Sequence, residues 1–353
     1  MDLSISKSQS LKNRPDENKL GFGTYFTDHM FLMDYSKEKG WHNARIAPYG
    51  SLSMDPSTMV FHYGQAIFEG LKAYRTAENR IQLFRPQANL ERLNNSARRL
   101  CIPPIDEAFG LECLKKLVEL EGEWVPRPEG TSLYIRPTII ATDPFLGVRA
   151  SFTYTYFIIL SPVGAYYPEG FAPVKIWVTT SYVRAVPGGV GETKTAGNYA
   201  ASLYAGEKAH ENGYTQVLWL DGVERRYVEE VGAMNIFFVL DGEVITPSLS
   251  GSILPGVTRD SVLKLARHWN MKVSERRISI DEVMEAHAKG KLDECFGTGT
   301  AAVISPVGEL RYKDQVIKIG DGSVGPVANR FYKAITDIQY GRASDPFNWI
   351  VPV

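Results

Sequence analysis

Residues 161–174 read SPVGAYYPEGFAPV, three prolines and two glycines around a pair of tyrosines. Proline fixes φ and removes a backbone donor, so neither a helix nor a central strand runs through such a stretch. It reads as a connection between domains. A chain of 353 residues interrupted near its middle is expected to build two cores rather than one. Because connections border clefts, the aromatics here are candidates for lining a pocket.

Both halves mix strands and helices. Before the break, RIQLF, SLYIRPTIIA and YTYFIIL are strand-like, and in ANLERLNNSARRLCI the residues Leu90, Leu93, Ala97 and Leu100 share one helical face. LECLKKLVELEGEW predicts a second helix. After the break, VKIWVTT is strand-like by its β-branched content, and AASLYAGEKAHENG predicts a helix ended by Gly213. Strands follow in QVLWLDG and RRYVEEVGAMNIFFVLDGEVITP, with Asp221-Gly222 and Asp241-Gly242 as hairpin turns. Ser279 with Glu282 is a capping box opening the helix IDEVMEAHAKG. The fold class is α/β or α+β in two domains. The first twenty residues are polar and predict a loose arm.

Composition narrows the partners. Apolar residues make up 44%, charged residues 22%, and the formal net charge is −1, which is ordinary for a soluble globular protein. No basic stretch interleaves with aromatics, so no nucleic-acid partner is expected, and no run of eighteen apolar residues predicts a membrane span. The N-terminus has no apolar core of signal-peptide length. Three cysteines in no metal-like pairing argue for a reducing compartment, the cytoplasm, and against zinc. With no global field to attract it, an anionic ligand must be held by local groups.

The chemistry centres on GETKTAGNYAASL, residues 191–203. Lys194 sits among glycines and small hydroxyl residues, with Tyr199 five positions on. A surface lysine needs no such setting. One that forms an imine does, because burial or a neighbouring cation must favour its neutral amine. Elsewhere, Gly256, Val257 and Thr258 precede a helix, where free amides and a hydroxyl make a phosphate cup. A plain N-cap by Thr258 is the ordinary alternative. Gly297, Thr298, Gly299 and Thr300 offer a flexible backbone and two hydroxyls, which a simple turn also explains. Arg92 lies on an amphipathic helix, where most arginines are merely solvated. Glu229 and Glu230 are neighbours in a strand and are expected to point to opposite faces. A carboxylate taken inside needs a cationic or proton-sharing partner, such as a protonated pyridine nitrogen; two exposed acids are the other reading. Taken together, Lys194, Glu230, Tyr199 and the amides of Gly256–Thr258 and Gly299–Thr300 match the four needs of pyridoxal 5'-phosphate: an imine lysine, a ring-nitrogen carboxylate, a donor to the phenolic oxygen and a phosphate cup.

At these residues the sequence resembles the branched-chain amino acid aminotransferases, fold-type IV pyridoxal-phosphate enzymes. YGQAIFEGLKAY, LFRPQANLERL, SLYIRP, SPVGAYY, KTAGNYAAS, EEVGAMNIFF, ILPGVTRD and FGTGTAAVISPV carry the resemblance in order along nearly the whole chain. It implies a smaller N-terminal α/β domain over 1–163, an interdomain loop over 164–174, and a larger C-terminal domain over 175–353 with a mixed, barrel-like sheet. It also implies a homodimer with its site between domains. Lys194 is then the Schiff-base and proton-transfer residue, Glu230 the partner of the ring nitrogen and Tyr199 that of the phenolate. Arg92, Val257, Thr258 and Thr300 hold the phosphate.

By the same resemblance Thr300 and Ala301, with the Tyr134 and Arg136 region, take the α-carboxylate, while Phe26, Tyr63, Phe68, Tyr166 and Ala233 shape the side-chain pocket. Leu146 and Val148 are expected to reach across from a second subunit. The implied reaction exchanges an amino group between leucine, isoleucine or valine and 2-oxoglutarate, giving L-glutamate, by ping-pong turnover. Ala302 and Ser305 stand where animal members carry a redox-active Cys-x-x-Cys, so thiol regulation of that kind is not expected. Ala233 stands where some relatives have threonine. Two other readings remain: D-amino acid aminotransferase or aminodeoxychorismate lyase on the same fold, and a non-catalytic phosphate-ligand binding protein.

Overall fold

The computed structural model describes residues 2–164 and 171–353. Tyr166 and most of the expected connection 164–174 lie outside the described residues. The chain divides into two compact units, the first holding 1–168, 193–196 and 337–353, the second 169–192 and 197–336. The sequence places 337–353 and Lys194 with the C-terminal half. In the structure the strand Ile350–Pro352 instead pairs with Ile81–Phe84, and Thr195 bridges to Ile67, so both segments belong to the first unit. Counted that way, the first unit is the larger.

The first unit is a nine-stranded sheet centred on the antiparallel pair Ser132–Ala141 and Thr153–Val163. Alternation divides the strand Ser132–Ala141 cleanly. Leu133, Ile135, Ile139 and Ala141 enter the apolar core with Leu90, Leu93 and Ala97 of the helix Pro86–Arg99 and Leu114 and Leu117 of Glu107–Leu120. Tyr134 and Arg136 point to the other face. The helices start where local chemistry dictates: Pro86 takes the first helical position, and Asp106 caps the next helix by accepting from Phe109 N at 2.9 Å.

The arm is not loose. Ser4–Ile5 adds a parallel strand to Gly40–Pro48, Ser8 N donates to His29 Nε2 at 2.8 Å, and Lys12 N donates to Asp28 at 2.7 Å. Polar composition misleads here because the strap is held by backbone amides, which composition does not report.

In the second unit six strands close on themselves: Val174–Val178, Gln216–Leu220, Val228–Val231, Met234–Leu240, Leu292–Gly299 and Val303–Tyr312, the last pairing back to the first. Closure removes the ring's sheet edges. The parallel step from Val174–Val178 to Gln216–Leu220 needs a crossover, supplied by the helix Ala196–Glu211, whose Ala205 and Ala209 pack on Val217 and Trp219. Asp241 and Gly242 form the expected two-residue hairpin, with φ of 51° and 74°. Asp221-Gly222 does not: its carboxylate accepts four backbone N–H groups, from Val223, Glu224, Arg226 and Tyr227, and winds a longer loop. Ser279 caps its helix as expected, accepting from Glu282 N at 3.0 Å.

Candidate active site

The residues singled out from sequence fall into two groups, one in each unit. In the first, the short strand Ala66–Phe68 is held between Ser132–Ala141 and the Lys194 segment: Phe68 N donates to Lys194 O at 3.0 Å, and Lys194 N to Ser96 Oγ at 3.0 Å. These bonds fix the lysine backbone. Its Nζ lies 4.5 Å from the Phe68 ring centroid. Burial is the main cause that lowers its pKa to about 8; Glu69 opposes this, and Arg92 and Arg136 push it further down. That is the environment an imine-forming lysine requires.

Arg92 is not a solvated surface residue. It is buried and forms a two-pronged pair with Glu69, Nε to Oε1 at 2.7 Å and Nη2 to Oε2 at 2.9 Å, while Asn89 donates to the same carboxylate at 2.8 Å. Sequence reasoning missed Glu69. Burial alone would raise its pKa, but the charge and hydrogen bonds of Arg92, then Lys194, hold it below the usual 4.5. The contribution of Glu69 to stability is therefore full above pH 4.5 and lost as pH falls through the lower folded value. Glu69→Gln is expected to cost about 3–5 kcal/mol in urea unfolding, because Arg92 stays buried without its counter-charge.

Arg136 stacks over Phe68 at 4.6 Å and donates to Tyr134 OH at 3.1 Å; its buried Nε has no hydrogen-bond partner. The Tyr134 hydroxyl lies where a Cβ on Gly70 would sit, so a side chain at residue 70 would have to displace the Tyr134 ring. Phe26 stacks on Tyr49 at 5.3 Å. Tyr63, exposed, donates its hydroxyl to Leu146 O, and Leu146 and Val148 are 62% and 85% exposed.

The second group sits on the barrel. Glu230 faces Asn235, and Asn235 faces Thr298, in one row across three adjacent strands. Glu230 Oε1 accepts from Leu254 N at 2.7 Å, and Oε2 pairs with Arg184 Nε at 3.1 Å. Arg184 was not foreseen. Glu229 and Glu230 do not simply alternate: Trp219 pairs with Glu230 and Leu220 with Val228, so Glu229 is an extra, bulged residue. The bulge turns both acids indoors, toward the loop 252–254, and Glu229 accepts from Ser252 Oγ.

Thr258 is not an N-cap. Gly256 occupies that position, no side chain caps the helix Val257–His268, and Thr258 lies buried in its first turn. A Cβ on Gly256 would meet Asn235 Oδ1 at 2.0 Å. Gly297, Thr298 and Gly299 belong to a strand; the turn is Thr300–Ala302, closed by Val303 at φ 62°, a strained setting for a β-branched residue. Thr298 Oγ1 is buried with no hydrogen-bond partner. Ala233 is exposed in the turn beside Gly232, and Tyr199 is half-buried in the helix Ala196–Glu211.

Residues 66–310 match the amino-transferase class IV family. The chain is 60% identical over 348 residues to branched-chain-amino-acid transaminase 1 of Bacillus subtilis, with 98% of each chain covered. The chain belongs to the branched-chain-amino-acid aminotransferase family. A Mycobacterium tuberculosis member is 52% identical over 94% of this chain and 91% of its own. Among solved structures, the Escherichia coli branched-chain amino acid aminotransferase superimposes with a TM-score of 0.77 at 28% identity, covering 92% of this chain and 98% of that one. The T.th. enzyme of the same name, complexed with N-(5'-phosphopyridoxyl)-L-glutamate, does so with a TM-score of 0.76 at 28% identity, over 94% and 98%. Both the mixed α/β architecture and the barrel sheet agree with such aminotransferase structures.

Proposed function

We propose that this aminotransferase passes amino groups between L-leucine, L-isoleucine or L-valine and 2-oxoglutarate, using pyridoxal 5'-phosphate. The observation that carries the reading is the 60% identity, over nearly the whole of both chains, to a branched-chain-amino-acid transaminase, together with Lys194 fixed through its backbone by Phe68 and Ser96. The residues present fit the cofactor. Glu230 is a buried carboxylate whose bonds from Arg184 and the Leu254 amide favour the negative charge that a protonated ring nitrogen needs. The helix start behind Gly256 carries no side-chain cap, and Thr298 offers a buried hydroxyl without a partner.

When bound, pyridoxal phosphate supplies an aldehyde that links amines covalently and a ring that draws electrons from the α-carbon. Lys194 holds the cofactor and moves a proton at Nζ to and from the substrate α-carbon. Glu230 keeps a negative charge facing the ring nitrogen, and Tyr199 orients the phenolic oxygen. Arg92, Gly256, Val257, Thr258, Gly299 and Thr300 hold the phosphate. Thr300 and Ala301, with the Tyr134 and Arg136 region, bind the α-carboxylate. Phe26, Phe68, Tyr63, Tyr166 and Ala233 receive the apolar branch, where burial contributes about 0.8 kcal/mol per methylene. Arg136, with its unpartnered Nε beside Tyr134, meets the second carboxylate of glutamate, which could not be buried unpaired.

Support for a homodimer comes from an exposed apolar patch of the first unit: Phe61, Tyr63, Phe145, Leu146, Val148 and Phe152 on the helix Met59–Tyr63 and the segment 145–152. Met59 N to Asp143 O and Phe145 N to Ser57 O join the two pieces. Free Cys101, Cys113 and Cys295 support a cytoplasmic setting, and among the described residues no helix is long and apolar enough to cross a membrane.

The test compares rates with L-leucine, D-alanine and aminodeoxychorismate under one set of conditions. L-Leucine with 2-oxoglutarate is expected to be the fastest by at least about a hundredfold, the discrimination two or three misplaced groups impose. Turnover of only the other two substrates defeats the assignment.

A further inference from the structure

Glu229 and Glu230 are 4% and 1% exposed, and the buried guanidinium of Arg184 pairs with Glu230 while acting on Glu229 only through its field. Two buried carboxylates beside one cation leave an uncompensated charge unless one acid keeps its proton. The hydrogen bonds decide which. Glu230 receives the Leu254 amide and the Arg184 Nε–H, both of which favour a carboxylate. Glu229 accepts one hydrogen bond where Glu230 accepts two, from the Ser252 hydroxyl to Oε1, and its Oε2 has no hydrogen-bond partner. The groups facing Glu229 from neighbouring elements are Asp221, Arg184 and Arg277. Burial is the main cause raising its pKa; the Ser252 hydrogen bond opposes it, Asp221 adds to it and the two arginines lower it, with the balance above the usual value. Asp221 is itself kept ionised by its backbone donors, and Arg277 is engaged with Glu224 at 2.8 Å.

We propose that Glu229 is a positioning residue: a carboxylic acid that keeps its proton and, through Ser252, fixes the loop that orients Glu230 and Arg184. Ser252 is the pivot. Its hydroxyl meets Glu229, its carbonyl accepts from Arg184 Nη1 at 2.9 Å, and two residues on, the Leu254 amide reaches Glu230. Ser252 Oγ also lies 2.9 Å from the hydroxyl of exposed Ser250, which gives the buried acid a route to exchange its proton with solvent. A neutral Glu229 leaves Arg184 and Glu230 as a balanced pair, so Glu230 keeps its full charge. This rests on the reading that Glu230 faces the cofactor ring nitrogen.

The test uses the holoenzyme. Infrared difference spectra between acid and alkaline pH are expected to show a carboxylic-acid carbonyl band that disappears in Glu229→Gln. Because the folded pKa is raised, the contribution of Glu229 to stability is complete below 4.5 and lost as pH rises through the folded value. Glu229→Gln removes that loss, so its stability relative to wild type grows across this window and then levels. Glu229→Ala is expected to weaken pyridoxal-phosphate binding about tenfold, as one lost buried hydrogen bond implies, and Glu229→Gln to restore it. Absence of the band in wild type overturns the proposal even if Glu229→Ala does not fold, and so does a Glu229→Ala protein that binds the cofactor as tightly as wild type. Failure of the Glu230 reading looks different: Glu230→Gln then leaves the cofactor absorbance unchanged while the Glu229 band persists.

Discussion

Lys194→Ala is expected to lose transamination between L-leucine and 2-oxoglutarate by roughly ten-thousandfold or more, because one change removes both the covalent attachment and the acid–base group. Bond strengths in the fold are largely spared: Phe68 N and Ser96 Oγ bond the backbone of residue 194, not its side chain. Steady-state rates and the cofactor absorbance check this together. Borohydride should leave a pyridoxyl adduct on Lys194 in wild type and none at that position in the variant. The pH dependence has a defined sign. The neutral amine is the nucleophile, so cofactor uptake by apoprotein should climb with pH and level off above about 8. Residual turnover at wild-type rates in the alanine variant ends the assignment.

Glu230→Gln should have the second-largest effect, reducing turnover by about a hundredfold to a thousandfold, the scale of one preorganised electrostatic contact in a dry site. The same change is expected to destabilise the protein by about 3–5 kcal/mol, since Arg184 stays buried beside an uncharged amide. Two measurements separate these effects. Unfolding in urea reads the ion pair, and single-turnover spectra at a temperature where the variant is fully folded read the ring contact. A variant that is destabilised but turns over normally would keep the Arg184 pair and discard the catalytic role.

Much of the architecture was legible because it depends on local periodicity. The alternating strand Ser132–Ala141, the helix Pro86–Arg99 and the Ser279 cap follow from side-chain patterns over a few residues. The failures have a common cause. The strapped arm, the loop wound on Asp221 and the bulge at Glu229 are each set by backbone hydrogen bonds to distant or unpredicted partners. Arg92 could be read as solvated because its partner Glu69 lies 23 positions away. A carboxylate just after the apolar strand Ala66–Phe68 was the available signal, and nothing local gave it a cation.

From residue types alone came the chemistry: a lysine among small residues, a carboxylate in an apolar strand and glycine-rich anion cups are choices that cofactor binding makes and ordinary folding does not. Their electrostatic state was decided by tertiary structure. Whether Lys194 is neutral enough to react, and which of two adjacent acids carries the charge, depends on burial and on Glu69, Arg136 and Arg184. Those influences fall off with distance in space, and distance in space is what a linear chain does not display.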